Sequence, residues 1–111
     1  MPDSPSIARL SIRTGPDAGK VLELSQRELV IGRTAPAGLI IAHPEISRRH
    51  ARVVYQQGNY ILEDLGSSNG TFINGQPLRG SQTLTDGTEI QLGSQIKLVF
   101  NQPSFGAQSA A

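Results

Sequence analysis

Three short polar clusters in the sequence carry residue types that can bind an anion. They are Gly32-Arg33, residues 47–50 and residues 66–71. A phosphate monoester brings nearly two negative charges and three acceptor oxygens. Its binding requires a planar cation for a bidentate contact, hydroxyl donors, and free backbone N–H groups in tight loops. The sequence therefore predicts a phosphate-binding site formed by Arg33, Ser47, Arg48 and Ser68.

The segments between these clusters are short apolar alternations, interrupted by Gly, Asn, Asp and Pro. Residues 8–14 alternate strictly, and Gln57-Gly58-Asn59 separates two further alternating runs, which indicates a β-hairpin. No window longer than ten residues has the apolar spacing of a helix. The predicted fold is all-β, a β-sandwich of about ten to eleven short strands, with the polar clusters in loops at one end.

Taken together, the clusters resemble the pattern of the forkhead-associated (FHA) family. That pattern is Gly-Arg, then Ser-x-x-His, then Ser-x-Asn-Gly-Thr and a further Asn-Gly. It occurs here as Gly32-Arg33, Ser47-x-x-His50, residues 67–71 and Asn74-Gly75. The resemblance extends from about Ala8 to Phe100 and implies an FHA/SMAD-like sandwich that recognises phosphorylated motifs through arginine clusters.

The resemblance implies a role for each matched residue. Arg33 resembles the main phosphate guanidinium, and Ser47 and Ser68 resemble the hydroxyl or N–H donors. Arg48 resembles a further phosphate contact through its side chain or backbone. The residues expected to contact the bound peptide are Asn69, Asn74 and Glu45. Those expected to support the loops are Gly32, His50, Gly70 and Thr71.

Glu45 carries a separate expectation about peptide selectivity. Some members of the family place a basic residue two positions before the serine of Ser-x-x-His, and they select an acidic peptide residue. Glu45 occupies that position here. Because like charges repel, we expect acidic residues around the third position after the phosphothreonine to be disfavoured.

An enzyme is not predicted, and no residue is assigned a catalytic role. The three-residue spacing of Ser47 and His50 on a loop does not aim one at the other. Residues 15–21 differ from a P-loop in glycine spacing, and Val21 stands where a magnesium-binding Ser or Thr belongs. Only two histidines and no cysteines are present, so neither a metal site nor a cofactor is predicted.

Nucleic acid is not a predicted partner, although Arg48, Arg49 and Arg52 lie close together in the sequence. Sheets that bind single strands interleave basic and aromatic residues, and the nearest aromatic here is Tyr55. The formal net charge is only +1. A steep salt dependence of binding to generic DNA would support the nucleic-acid alternative.

The chain has 111 residues, one domain's worth. We expect a flexible N-terminus over 1–6, the binding domain over 7–100, and a flexible tail or linker over 101–111. No apolar run approaches the length of a membrane span, and the first residues do not form a secretory signal. Together with the absence of cysteine, this predicts a cytoplasmic protein with no membrane partner.

The predicted function is a phosphothreonine-dependent interaction module in Ser/Thr kinase signalling. Its partner would be a phosphothreonine-containing protein, in trans or elsewhere in a longer parent chain, modified by an upstream kinase. We expect the domain to be a monomer. The alternative is a phospho-independent interaction or scaffold domain that keeps the FHA fold.

Overall fold

The computed structural model describes residues 8–24 and 26–102, which form eleven β-strands and, in those ranges, no helix. The strands are β1 (Ala8–Ile12), β2 (Val21–Leu24), β3 (Glu28–Gly32), β4 (Leu39–Ile40), β5 (Ala51–Gln56), β6 (Asn59–Asp64), β7 (Thr71–Ile73), β8 (Gln76–Pro77), β9 (Ser81–Leu84), β10 (Thr88–Leu92) and β11 (Ile96–Asn101).

The strands form two sheets that pack face to face. The six-stranded sheet has the order β2-β1-β11-β10-β7-β8, and the five-stranded sheet has the order β4-β3-β5-β6-β9. Every pairing is antiparallel except that of β3 with β4. The predicted all-β sandwich is confirmed.

Most of the two terminal segments that were predicted from composition lies outside the described residues. The predicted N-terminal segment, 1–6, lies outside them, as does 103–111 of the predicted tail. Asn101 was assigned to the tail, but it is the last residue of β11 and pairs with Arg9 of β1. Its side chain also donates a hydrogen bond to Asp86 at 3.3 Å. This boundary is therefore corrected by at least one residue.

The core is aliphatic and follows from period-2 alternation. In β1, Ala8, Leu10 and Ile12 are buried while Arg9 is exposed on the outer face. Strands β10 and β11 alternate in the same way. Burying an aliphatic side chain contributes about 1.5–3 kcal/mol. Tyr60 is the largest polar-tipped side chain in this core, and its hydroxyl donates to the carbonyl of Leu24 at 3.1 Å.

The outer faces of the sheets carry ion pairs between strands. The Nε of Arg52 lies 2.6 Å from Glu63, and its Nη1 lies 2.8 Å from Glu28. Lys97 and Glu89 approach to 3.8 Å on the other sheet. No helix within the described ranges is long and apolar enough to cross a membrane.

Backbone hydrogen bonds bring the loops after β3, before β5 and after β6 to one end of the sandwich. The N–H of His50 donates to Ile31 at 2.8 Å, and the N–H of Leu65 donates to His50 at 3.0 Å. The β10–β11 turn joins them, because the N–H of Gly93 donates to the carbonyl of Gly70 at 3.0 Å. Ala8 and Asn101 lie at the opposite end of their strands.

Candidate functional site

His50 is fully buried and links two of the loops through its ring. The backbone N–H of Ser47 donates to Nδ1 at 3.1 Å, and Nε2 lies 2.9 Å from the carbonyl oxygen of Gly70. Because Nδ1 accepts a hydrogen bond, the ring proton is on Nε2 and is donated to Gly70. The structure thus places His50 where a loop-supporting residue was predicted.

This arrangement also bears on the enzyme alternative. The atom of Ser47 that contacts His50 is the backbone nitrogen, not the hydroxyl oxygen. A nucleophile and its base need a hydrogen bond between hydroxyl and ring nitrogen. The described contacts of His50 do not supply one.

Ser47 joins two further loops to its own. Its carbonyl accepts the N–H of Arg33 at 3.0 Å, and its Oγ accepts the N–H of Ser68 at 3.0 Å. A hydroxyl has one proton to donate. Because the bond from Ser68 uses a lone pair of Oγ, the proton remains free to be donated into the space between these loops.

A cleft of about 360 Å³ opens at this point. The guanidinium groups of Arg33 and Arg48 have no hydrogen bond or carboxylate partner within the described residues. Such planar cations favour an anion that accepts bidentate hydrogen bonds, such as a phosphate. The cleft is lined by Arg33, Pro44, Glu45, Ile46, Ser47, Arg48, Gly66, Ser68 and Asn69.

Gly32 is required by the close approach of two backbones. A Cβ at this position would collide with the carbonyl oxygen of Arg48. Only glycine allows the end of β3 to approach the loop before β5, which brings Arg33 within hydrogen-bonding distance of Ser47.

Asp64 organises the loop after β6 and was not singled out from the sequence. Its Oδ2 accepts the N–H groups of Gly66 and Ser67, each at 3.0 Å. Its Oδ1 accepts the hydroxyls of Ser67 at 2.5 Å and Thr71 at 2.6 Å. Burial raises the pKa of Asp64, but these donors outweigh it and hold the pKa below its ordinary value. The sequence signal was Asp64 with Gly66 and Ser67 two and three positions later, which is typical of an Asx-turn.

Glu45 is tied to the β10–β11 turn by its carboxylate. Oε1 accepts the N–H of Ser94 at 2.9 Å, and Oε2 accepts its hydroxyl at 2.7 Å. The hydrogen bond from the Ser94 hydroxyl is the main reason that the pKa of Glu45 is lowered. The carbonyl of Glu45 accepts Nδ2 of Asn69 at 2.9 Å, which leaves the amide oxygen of Asn69 available as an acceptor.

Asn74 is not brought together with the other predicted site residues. It follows β7, whereas the cleft lies before β7, a separation of about 10 Å along the strand. Its side-chain oxygen accepts the N–H of Glu89 at 2.9 Å, and its backbone has a φ of 50°. These contacts describe a turn residue, and its predicted contact with peptide has no support in this placement.

No group of three or more His, Cys, Asp or Glu side chains in the part of the chain that the structure describes could hold a metal ion. The polar side chains that line the cleft are cationic or neutral, except that of Glu45. Such a set matches an anion.

Comparison with known proteins gives a consistent family. The model of the FHA domain matches residues 29–93. An oxoglutarate dehydrogenase inhibitor from Corynebacterium efficiens is 39% identical over 93 residues, which cover 84% of this chain and 64% of the relative. The glycogen accumulation regulator GarA from Mycolicibacterium smegmatis is 36% identical over 93 residues, covering 84% of this chain and 58% of the relative. The chain thus spans less than two thirds of the length of these relatives.

Two solved structures extend the comparison. The FHA domain of an Arabidopsis thaliana hypothetical protein superposes with a TM-score of 0.84 at 33% identity, covering 90% of this chain and 88% of that one. EmbR from Mycobacterium tuberculosis, solved in complex with a low affinity phosphopeptide, has a TM-score of 0.80 at 27% identity. That match covers 89% of this chain and 25% of EmbR.

Proposed function

The chain belongs to the FHA domain family, whose members recognise phosphorylated motifs, and we propose that this domain binds phosphothreonine peptides in the cleft beside Arg33. It acts in Ser/Thr kinase signalling as an interaction module. Its partner is a phosphothreonine-containing protein, on another chain or elsewhere in a longer parent chain, that an upstream kinase modifies.

The observation that carries this proposal is the state of the Ser47 hydroxyl. The hydroxyl oxygen accepts the N–H of Ser68, which fixes its position. The hydroxyl proton has no acceptor among the described residues. The guanidinium of Arg33, on the adjoining loop, also has no carboxylate partner among the described residues. A phosphate in the cleft supplies acceptors for both groups without displacing an existing contact.

The remaining cleft residues have complementary roles in the proposal. Arg48 adds a second cation, and the exposed hydroxyl of Ser68 adds a second neutral donor. The free amide oxygen of Asn69 accepts a backbone N–H of the peptide. The ring of His50 is hydrogen-bonded to the carbonyl of Gly70, and the hydroxyl of Thr71 donates to Asp64. These residues therefore hold the loops together and do not touch the ligand.

The names of the relatives describe an enzyme inhibitor and a regulator of glycogen accumulation. We accordingly propose a regulatory, non-enzymatic role for this domain, as a monomer in the cytoplasm. These names also favour one alternative. An inhibitor can act by covering the surface of an enzyme, and the domain would then bind its partner whether or not a phosphate is present.

A titration of isotope-labelled domain with a phosphothreonine peptide library tests both functions. Phosphorylated peptides should shift the resonances of residues 33, 47 and 68, and their unphosphorylated forms should not. Hydrogen bonds to a charged group contribute about 1.5–3 kcal/mol each, so Arg33→Ala should weaken binding roughly tenfold to hundredfold or more.

Arg27→Ala is the matched control, because Arg27 is exposed and precedes the far end of β3. Unchanged binding by a correctly folded Arg33→Ala variant would contradict the assigned site. Equal binding of phosphorylated and unphosphorylated peptides would favour the phospho-independent alternative.

A further inference from the structure

Two arginines outside the cleft, Arg49 and Arg79, lie on either side of the loop that begins at Leu65. Arg49 lies between Arg48, which lines the cleft, and His50, whose carbonyl accepts the N–H of Leu65. Arg79 lies on the other side of the loop, between Leu78 and Gly80. Both arginine side chains are exposed.

The neighbours of Arg79 are bonded to the two ends of the same loop. The N–H of Leu78 donates to the carbonyl of Thr71 at 2.8 Å, and the carbonyl of Gly80 accepts the N–H of Asp64 at 3.4 Å. Adjacent strands are about 4.8 Å apart. The backbones of Arg49 and Arg79, two strands apart across Leu65, are therefore separated by about 10 Å, which long arginine side chains can span from both sides.

The charges of these arginines are not neutralised by the protein. Arg49 and Arg79 have no carboxylate partner within residues 8–24 and 26–102, whereas Arg52 on the outer sheet face has two. The carboxylate of Asp64, at the start of the loop between them, already accepts four hydrogen bonds from its own loop. This flank of the cleft is thus cationic and unpaired.

The opposite flank carries the reverse charge. Glu45 lines the cleft there, joined to Asn69 and to Ser94 of the β10–β11 turn. Its carboxylate is ionised at neutral pH, as for any glutamate with an ordinary or lowered pKa. The rim of the cleft is therefore anionic beside Asn69 and cationic beside Gly66.

We infer that the domain prefers phosphothreonine peptides with acidic residues on one side only, the side that crosses Gly66 towards Arg49 and Arg79. This inference rests on the proposed function, because the phosphothreonine fixes the peptide between the two flanks. Arg49 and Arg79 then act as selectivity residues that attract a carboxylate or a second phosphate. Glu45 rejects acidic residues on the other side.

The test compares three phosphothreonine peptides by fluorescence anisotropy. One has alanine on both sides, one has three glutamates before the phosphothreonine, and one has three glutamates after it. The peptide with glutamates before the phosphothreonine should bind more tightly than the alanine peptide, because Glu45 is expected to disfavour acidic residues after it. Tighter binding of the peptide with glutamates after the phosphothreonine would overturn the inference. Exposed ion pairs contribute about 0.2–1 kcal/mol, so the gain should be about 1.4- to fivefold, and it should shrink at 0.5 M salt.

Substitutions then assign the gain. The double variant Arg49→Gln/Arg79→Gln should lose it while binding the alanine peptide as tightly as the unmodified domain does. Arg27→Gln, an exposed arginine remote from the cleft, should keep it. A gain for both glutamate peptides, for neither, or one that survives the double variant would overturn the inference while leaving phosphopeptide binding intact.

Two other outcomes are separable. If no phosphopeptide binds, the proposed function fails and this inference fails with it. If a short DNA duplex binds as tightly as the favoured glutamate peptide and competes with it, the cationic flank is a general polyanion surface and the inference is overturned.

Discussion

Removing the imidazole of His50 should destabilise the domain and weaken phosphopeptide binding together. The ring is fully buried, and its loss leaves the N–H of Ser47 and the carbonyl of Gly70 without their present partners. Each buried polar group left unsatisfied costs about 1–3 kcal/mol. Water can reach half-exposed Ser47, so we expect His50→Ala to lower the free energy of unfolding by about 2–4 kcal/mol.

That loss is a large part of the roughly 5–15 kcal/mol available to a typical domain. For a domain of this size it corresponds to a fall in Tm of roughly 10–25 °C. Urea unfolding and a thermal scan measure the loss, and anisotropy with a phosphothreonine peptide measures binding. If His50→Ala does not fold, His50→Asn should fold, because the amide oxygen of Asn can still accept the N–H of Ser47.

Ser47→Ala provides the contrast. It retains the backbone N–H that donates to His50 and removes the hydroxyl, which accepts the N–H of Ser68. Because Ser68 is exposed and water can replace that acceptor, stability should change by about 1 kcal/mol or less. Affinity should fall roughly tenfold or more, because a donor to a charged phosphate is lost. A stable, fully binding His50→Ala variant, or a Ser47→Ala variant with a much lower Tm, would refute the roles assigned to the two residues.

Three further predictions concern the ligand and the loops. Matched phosphothreonine and phosphoserine peptides should differ by only a few-fold if burial of the methyl group, about 0.8 kcal/mol, is the sole cause, and equal affinity would show that no methyl pocket exists. Glu45→Lys should improve binding of peptides with Asp three positions after the phosphothreonine, by about 1 kcal/mol or less, and a peptide array that favours Asp there in both proteins would contradict the charge argument. The pKa of Asp64 is lowered in the folded state, so its stabilisation is present above the ordinary value near 3.8 and is lost as the pH falls through the folded pKa. Asp64→Asn should therefore be less stable than the unmodified domain at pH 6 in urea unfolding, and a difference that persists undiminished at pH 2 would argue against this linkage.

The sandwich could be predicted because its central strands alternate between apolar and polar residues. Strand β9 escaped prediction, since it lies at the edge of the five-stranded sheet and only Leu84 of its four residues is buried. Strand β8 escaped for a related reason. Its two residues, Gln76 and Pro77, are both exposed, so no apolar alternation marks them.

The cleft residues were predictable from local clusters, but their supporting contacts were not. Glu45 and Ser94 are 49 positions apart, and nothing in either segment alone indicates that they meet. Asn74 lies in an Asn-Gly pair like that of Asn69, yet it bonds Glu89 at a strand end away from the cleft. Composition and spacing identify such residues, but the pairing of β7 with β10 determines which end of β7 lies at the cleft.

The position of the strand ends sets a minimum tether for any phosphothreonine on the same polypeptide. Ala8 and Asn101 lie at the end of the sandwich opposite the cleft, at the far ends of strands that are five and six residues long. At about 3.3 Å per residue, the distance from either end to the cleft is about 20 Å. An extended chain covers at most 3.3–3.6 Å per residue, so roughly six or more residues must separate the strand end from the phosphothreonine. A shorter connection restricts the domain to ligands on other molecules, which makes linker length a control on whether binding is internal or between proteins.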